Sequence, residues 1–118
     1  MWKGKMLYQD GHPEGFEPNN IQLDSPFVSV TEERIEYTVL KRRWFPLGRR
    51  LLFTIDKTQI LDVRHEQLPG SLFGADHHAV VRMQHDDGEF DVRFKAHGLV
   101  REENAIKFVQ AVKRLIAG

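Results

Sequence analysis

The chain has 118 residues and no cysteine, and its 17 Lys and Arg residues balance its 17 Asp and Glu residues. This length suits one domain, and the 41% hydrophobic and 29% charged residues are typical of a globular protein. Zero net charge argues against a dedicated nucleic-acid binder, and the lack of cysteine excludes disulfides and thiolate metal sites. No apolar segment has the length of a secretory signal core or of a membrane span. We therefore expect one cytoplasmic domain over residues 1–118.

The first 26 residues are predicted to contain one strand and a long loop. The segment WKGKMLY places Trp2, Met6 and Tyr8 on alternate positions, which is typical of a short strand. Residues 9–26 are rich in Gly, Pro, Asn and Asp and have no sustained period, so they are predicted to be a loop.

Residues 27–95 carry the period-two pattern of half-buried strands. The residues predicted to face inward on these strands are Ile35, Tyr37, Val39, Leu51, Phe53, Ile55, Leu61, Val63, His65, Phe90, Val92 and Phe94. Ile60 is out of phase with Leu61 and Val63, which indicates either a bulge or burial on both faces. The tetrapeptide HDDG, residues 85–88, is predicted to be a hairpin turn because Asp-Gly tolerates positive φ angles.

The C-terminal segment changes to the period of a helix. Its apolar stripe consists of Ala105, Phe108, Val109, Val112 and Leu115. Acidic residues open the segment and basic residues close it, as the helix dipole favours, so a helix is predicted over 101–117. The sequence thus predicts a mainly β (α+β) fold: six or seven antiparallel strands and one C-terminal amphipathic helix that covers the sheet.

This pattern resembles the pleckstrin-homology (PH) superfold in its bacterial or GRAM-like form. The resemblance spans residues 27–117 and rests on VTEERIEYT, RRLLFTIDKTQILDV, DGEFDVRF and ENAIKFVQAVKRL. It implies a barrel of two curled sheets capped by the helix, and a scaffold that binds phosphoinositides, peptides or proteins without a common catalytic site. The phosphoinositide-binding members carry a Lys and an Arg-x-Arg pattern around the loop between their first two strands. If WKGKMLY is the first strand, that loop is residues 9–26, which contain no Lys or Arg. If the first strand is instead Arg34–Leu40, the Arg-x-Arg spacing fails because Leu51 stands two residues after Arg49.

The stretch KRRWFPLGRR, residues 41–50, is the main candidate contact site. Its candidate residues are Lys41, Arg42, Arg43, Trp44, Phe45, Arg49 and Arg50. Each cation gains roughly 1 kcal/mol near an anionic membrane, so five cations give at most about 5 kcal/mol, or a Kd somewhat under a millimolar. The alternative is a hairpin tip whose arginines pair with nearby acids such as Glu36 and Asp56.

A second candidate contact lies in the loop LPGSLFG, where Leu72 and Phe73 stand between glycines. These side chains could bind a protein partner, or plug the end of the barrel opposite the helix. His77, His78 and His85 do not have the spacing of a converging metal site, and no nucleophile elbow, phosphate-binding loop or dinucleotide fingerprint occurs.

We therefore expect a non-enzymatic binding module without cofactor or metal. Its predicted partner is another protein or, through an open sheet edge, a second copy of the chain. The alternative is peripheral binding to anionic lipid through residues 41–50, and nucleic acid is not an expected partner.

Overall fold

The computed structural model describes residues 1–11, 26–40, 49–70, 74–86, 88–96 and 100–118. In chain order the strands are β1 (Trp2–Asp10), β2 (Phe27–Val30), β3 (Arg34–Leu40), β4 (Arg49–Asp56), β5 (Ile60–Leu68), β6 (Asp76–His85) and β7 (Gly88–Ala96). A single 3₁₀ turn, Lys57–Gln59, separates β4 from β5, and the helix α1 covers Arg101–Ala117. The prediction of a mainly β fold with a C-terminal helix is confirmed.

All seven strands belong to one antiparallel sheet, in the order β4-β3-β2-β1-β7-β6-β5. β1 joins the two halves of this sheet: Trp2–Lys5 pair with β2, whereas Met6–Asp10 pair with β7. Among the described residues, no backbone pairing joins β4 to β5. The sheet is therefore open, with β4 and β5 as its edge strands.

The alternating strand directions divide the connections between two ends of the sheet. One end of the sheet carries the β6–β7 turn and the strand termini that flank the β1–β2 and β3–β4 connections. The β2–β3 turn, the end of β5 and the start of β6 share the other. The turn between β6 and β7 confirms the predicted hairpin, with His85 paired to Gly88 and Gly88 at φ 116°.

The core lies between the sheet and α1, and it includes residues of every strand. The predicted helix stripe is confirmed, because Ala105, Phe108, Val109, Val112 and Leu115 are all buried. Phe108 is fully buried and meets Trp2 edge to face at a centroid distance of 5.8 Å. The first strand and the helix are thereby packed together.

Two of the residues predicted to face inward do not, because each edge strand contains a bulge. The register between β3 and β4 shifts after Tyr37, so Leu52 becomes the extra residue and packs on the core while Leu51 is 46% exposed. A second shift, between Ile60 and Asp62 in β5, buries Ile60 and leaves Leu61 42% exposed. The inward predictions for Leu51 and Leu61 were wrong, whereas the bulge indicated at Ile60 is confirmed.

Tyr37 stabilises the point at which β1 leaves β2 for β7. The backbone N–H of Tyr8 donates to the Tyr37 hydroxyl at 3.0 Å within the core. Burial raises the pKa of Tyr37 to about 12, against a smaller lowering by this hydrogen bond. The ring of Tyr37 stacks on Phe53 at a centroid distance of 5.0 Å.

Candidate functional site

The two predicted contact sites fall mainly outside the described residues. Lys41, Arg42, Arg43, Trp44 and Phe45 lie there, as do Leu72 and Phe73. Arg49 and Arg50 begin β4, and their backbones pair with Leu40 and Val39. The contact roles of these residues stay predictions.

The edge strand β5 presents apolar side chains next to an open backbone edge. Leu61 is 42% exposed and Leu68 is 37% exposed. In the described part of the chain, β5 pairs with β6 on one side and with no strand on the other. An edge of this kind can accept an additional strand through main-chain hydrogen bonds.

A cleft of about 670 Å³ lies between the start of β6 and the first turns of α1. Ala75 and His77 line it from the strand side, and Val100, Arg101, Glu102, Glu103, Ile106, Lys107 and Gln110 line it from the helix side. Val100 is 54% exposed and Ile106 is 38% exposed, so the cleft offers apolar surface. Its four charged side chains are two cations and two anions, and one such pair, Lys107 and Glu103, is 2.7 Å apart.

His77 joins this cleft to β5. Its ring is buried, and its Nδ1 lies 2.9 Å from Nε2 of His65. The two rings stack at a centroid distance of 5.1 Å. Gln67 of β5 pairs with His77 in the strand register, so the cleft lies next to the end of β5 on the side that is paired with β6.

The outer face of β5, β6 and β7 carries a network of ion pairs. Arg64 contacts Glu66 and Asp91, each at 3.2 Å, and Arg93 contacts Glu66 at 3.0 Å. Burial alone would raise the pKa of Glu66, but the hydrogen bonds and charges of Arg93 and Arg64 lower it below its usual value. Val80 lies between Arg64 and Arg93 in the register and is fully buried. Acid and base thus offset each other on this face, which favours a structural role for it.

The base of the β5–β6 loop is closed by a tight backbone approach. A Cβ atom on Gly70 would lie 1.7 Å from the carbonyl oxygen of Gly74, so only glycine fits at position 70. Gly74 in turn lies against the guanidinium of Arg101, the first residue of α1. The loop base is therefore beside the helix start. The prediction that Leu72 and Phe73 plug the barrel end lies outside the described residues.

Some of these residues were not singled out from the sequence. Ile106 lies outside the apolar stripe of α1. An isoleucine at such a position could have been predicted from the sequence to be an exposed apolar side chain and a candidate contact. The cleft itself had no local signal, because His77 and Ile106 are distant in sequence. Among the described residues, no three His, Asp or Glu side chains converge as a metal site would require.

No family model, curated protein or solved structure matches this chain. Within the part of the chain that the structure describes, no helix is both long enough and apolar enough to cross a bilayer.

Proposed function

We propose that this chain is a non-enzymatic, PH-like binding module that accepts an extended segment of a protein partner along β5. The observation that carries this proposal is the edge strand β5, whose backbone is open on one side and whose Leu61 and Leu68 are exposed. A segment bound here would form main-chain hydrogen bonds with β5 and place alternate side chains against its surface.

The cleft beside α1 supports the same proposal. A partner segment on the open edge would have to turn past the end of β5 toward β6 to reach the cleft, where Val100 and Ile106 offer apolar contacts. The mixed charges of the cleft suit a peptide with polar and apolar side chains better than a strongly anionic ligand. The partner would thus be held by backbone pairing first and by side-chain contacts second.

We also propose that the fold of this chain is PH-like. This proposal is supported by the strand order and by the way in which β1 pairs with β2 through its first half and with β7 through its second half. Such a strand lets one sheet bend into two curled halves, which α1 would cap as in the PH superfold.

The proposal is tested by selecting peptides from a displayed library of random 12-residue sequences and measuring their affinity for purified protein. Leu61→Lys and Leu68→Lys place charge on β5 and should each weaken the selected peptides at least tenfold. Leu51→Lys is the matched control, because Leu51 is similarly exposed on the other edge strand, and it should leave the affinity unchanged. Equal losses in all three variants, or a loss confined to Leu51→Lys, would contradict the assignment to β5.

A second candidate function, peripheral binding to anionic lipid through residues 41–50, is favoured by one observation on charge. Cations outside this segment form ion pairs among the described residues, and they include Arg34, Arg64, Arg82, Arg93, Lys95 and Lys107. The segment itself contains five cations and no acid. Net positive charge is therefore concentrated in it, and an anionic surface is the partner that such charge would attract.

A further inference from the structure

Three of the six histidines meet at the end of β5 and the start of β6. His65 and His77 contact each other on the core side of the sheet, and His78 lies on the outer side. We call these three residues the histidine corner. His77 of this corner also lines the cleft beside α1.

On the core side, the contact between His65 and His77 requires an unprotonated ring nitrogen. The two nitrogens are 2.9 Å apart, so one of them donates a hydrogen and the other must accept it. If both nitrogens carried hydrogens, the contact would become repulsive. The cleft at His77 is also lined by charged side chains of α1, two cations and two anions: Arg101, Glu102, Glu103 and Lys107.

On the outer side, the contact between His78 and Arg93 has the same requirement. A guanidinium can only donate, so Nδ1 of His78, which lies 3.2 Å from Nη1 of Arg93, must accept. The other charged groups around this ring are Glu66 on β5, Asp76 on β6 and Lys95 on β7. Burial, followed by the charge of Arg93, lowers the pKa of His78 below its ordinary value.

We propose that the histidine corner is a pH-sensitive switch: at neutral pH its two contacts hold the start of β6 against β5 and against β7, and in acid they release it. At least two of the three rings must be unprotonated for both contacts to persist. A hydrogen on both nitrogens of the first contact breaks the link between β5 and β6, and a hydrogen on Nδ1 of His78 breaks the link between β6 and β7. Residues 65–68 and 76–79 should then separate, and the cleft should widen, while the rest of the sheet remains folded. This inference concerns the chain's own conformation and does not depend on the proposed partner.

Amide hydrogen exchange at pH 7.5 and pH 5.5, corrected for the intrinsic effect of pH on exchange, tests the switch. Residues 65–68 and 76–79 should exchange at least tenfold faster at pH 5.5. Residues 34–39 and 51–56, which contain no histidine, should be unchanged. The double variant His77→Gln/His78→Gln should lose the difference, because its two amides remain neutral. His85→Gln, which removes a histidine outside the corner, should retain it.

A uniform change across the sheet, or a local change that persists in the double variant, would overturn the proposal. A measurement on the unmodified protein keeps the test independent of whether the variant folds. The ¹⁵N shifts of the histidine rings at pH 7.5 should show an unprotonated Nδ1 in His78 and one unprotonated nitrogen at the contact between His65 and His77. A protonated Nδ1 in His78 would contradict the geometry on which the switch is based.

Discussion

Replacing Tyr37 with Phe removes one hydroxyl at the point where β1 changes partner strands. The hydroxyl accepts the backbone N–H of Tyr8 at 3.0 Å, and Tyr37 is fully buried. The phenylalanine ring can keep the stacking on Phe53 at a centroid distance of 5.0 Å, so packing should change little. The substitution therefore isolates one buried hydrogen bond.

We expect Tyr37→Phe to lower the free energy of unfolding by about 1–3 kcal/mol, which is the cost of leaving a buried backbone donor without its acceptor. For a domain of this size the midpoint of thermal unfolding should fall by roughly 4–12 °C. Urea unfolding followed by tryptophan fluorescence gives the free energy, and calorimetry gives the midpoint. Tyr37→Leu is the comparison: it loses the aromatic stacking as well and should be less stable than Tyr37→Phe by a further ~0.5–1.5 kcal/mol.

A Tyr37→Phe variant as stable as the wild type within about 0.3 kcal/mol would contradict this assignment of the hydrogen bond. That result would mean that the N–H of Tyr8 finds another acceptor when the hydroxyl is absent. Hydrogen exchange of the Tyr8 amide separates the two cases, because it should become faster in Tyr37→Phe only if the acceptor is lost.

Three further predictions concern acid stability, the loop base and the basic segment. The pKa of Glu66 is lowered in the folded state, so ionised Glu66 stabilises the fold. This stabilisation is fully present above the ordinary carboxyl pKa and is lost as the pH falls below about 4.5. Glu66→Gln should therefore reduce the loss of unfolding free energy measured between pH 6 and pH 3. Gly70→Ala should lower the free energy of unfolding by about 1–3 kcal/mol through the backbone clash, whereas Gly118→Ala at the chain end should be neutral, and equal effects would contradict the close approach. In co-sedimentation, anionic liposomes should retain the protein at low salt and release it at physiological salt. Binding that survives physiological salt and disappears in Arg42→Glu/Arg49→Glu would favour the lipid function instead.

The strands and the helix could be predicted because their patterns are local. Phe90, Val92 and Phe94 alternate with charged residues, and the segment is the strand β7, with Val92 and Phe94 fully buried and Phe90 packed against the core. In α1 the spacing of the apolar residues along the sequence likewise suffices to predict which face of the helix is buried. In both cases the pattern depends only on neighbouring residues.

The bulges could be predicted only in part, because a bulge depends on the register with another strand. Alternation placed Leu51 and Leu61 inside, but one extra residue in each edge strand turned them outward. Ile60 indicated the second bulge, because it is an apolar residue out of step with the alternation of Leu61 and Val63. Leu52 is likewise an apolar residue next to Leu51, but the alternation with Phe53 and Ile55 selected Leu51, and only the register with β3 shows that Leu52 packs on the core.

The candidate site could not be derived from the sequence because it is assembled from distant segments. His65 and His77 are separated by the β5–β6 loop, and Ile106 follows a further strand and connection. Each of these residues is unremarkable by itself. Their common position follows from the strand register and from the packing of α1 on β5 and β6, which are properties of the whole fold.

The most direct test of the binding proposal is an NMR measurement on the complex with the tightest selected peptide. We expect NOEs between the peptide backbone and the backbone of Ile60–Leu68, together with slower exchange of the β5 amides that face away from β6. Peptide NOEs confined to β4, to the outer ion-pair face or to residues 41–50 would contradict the assignment of β5 as the binding edge.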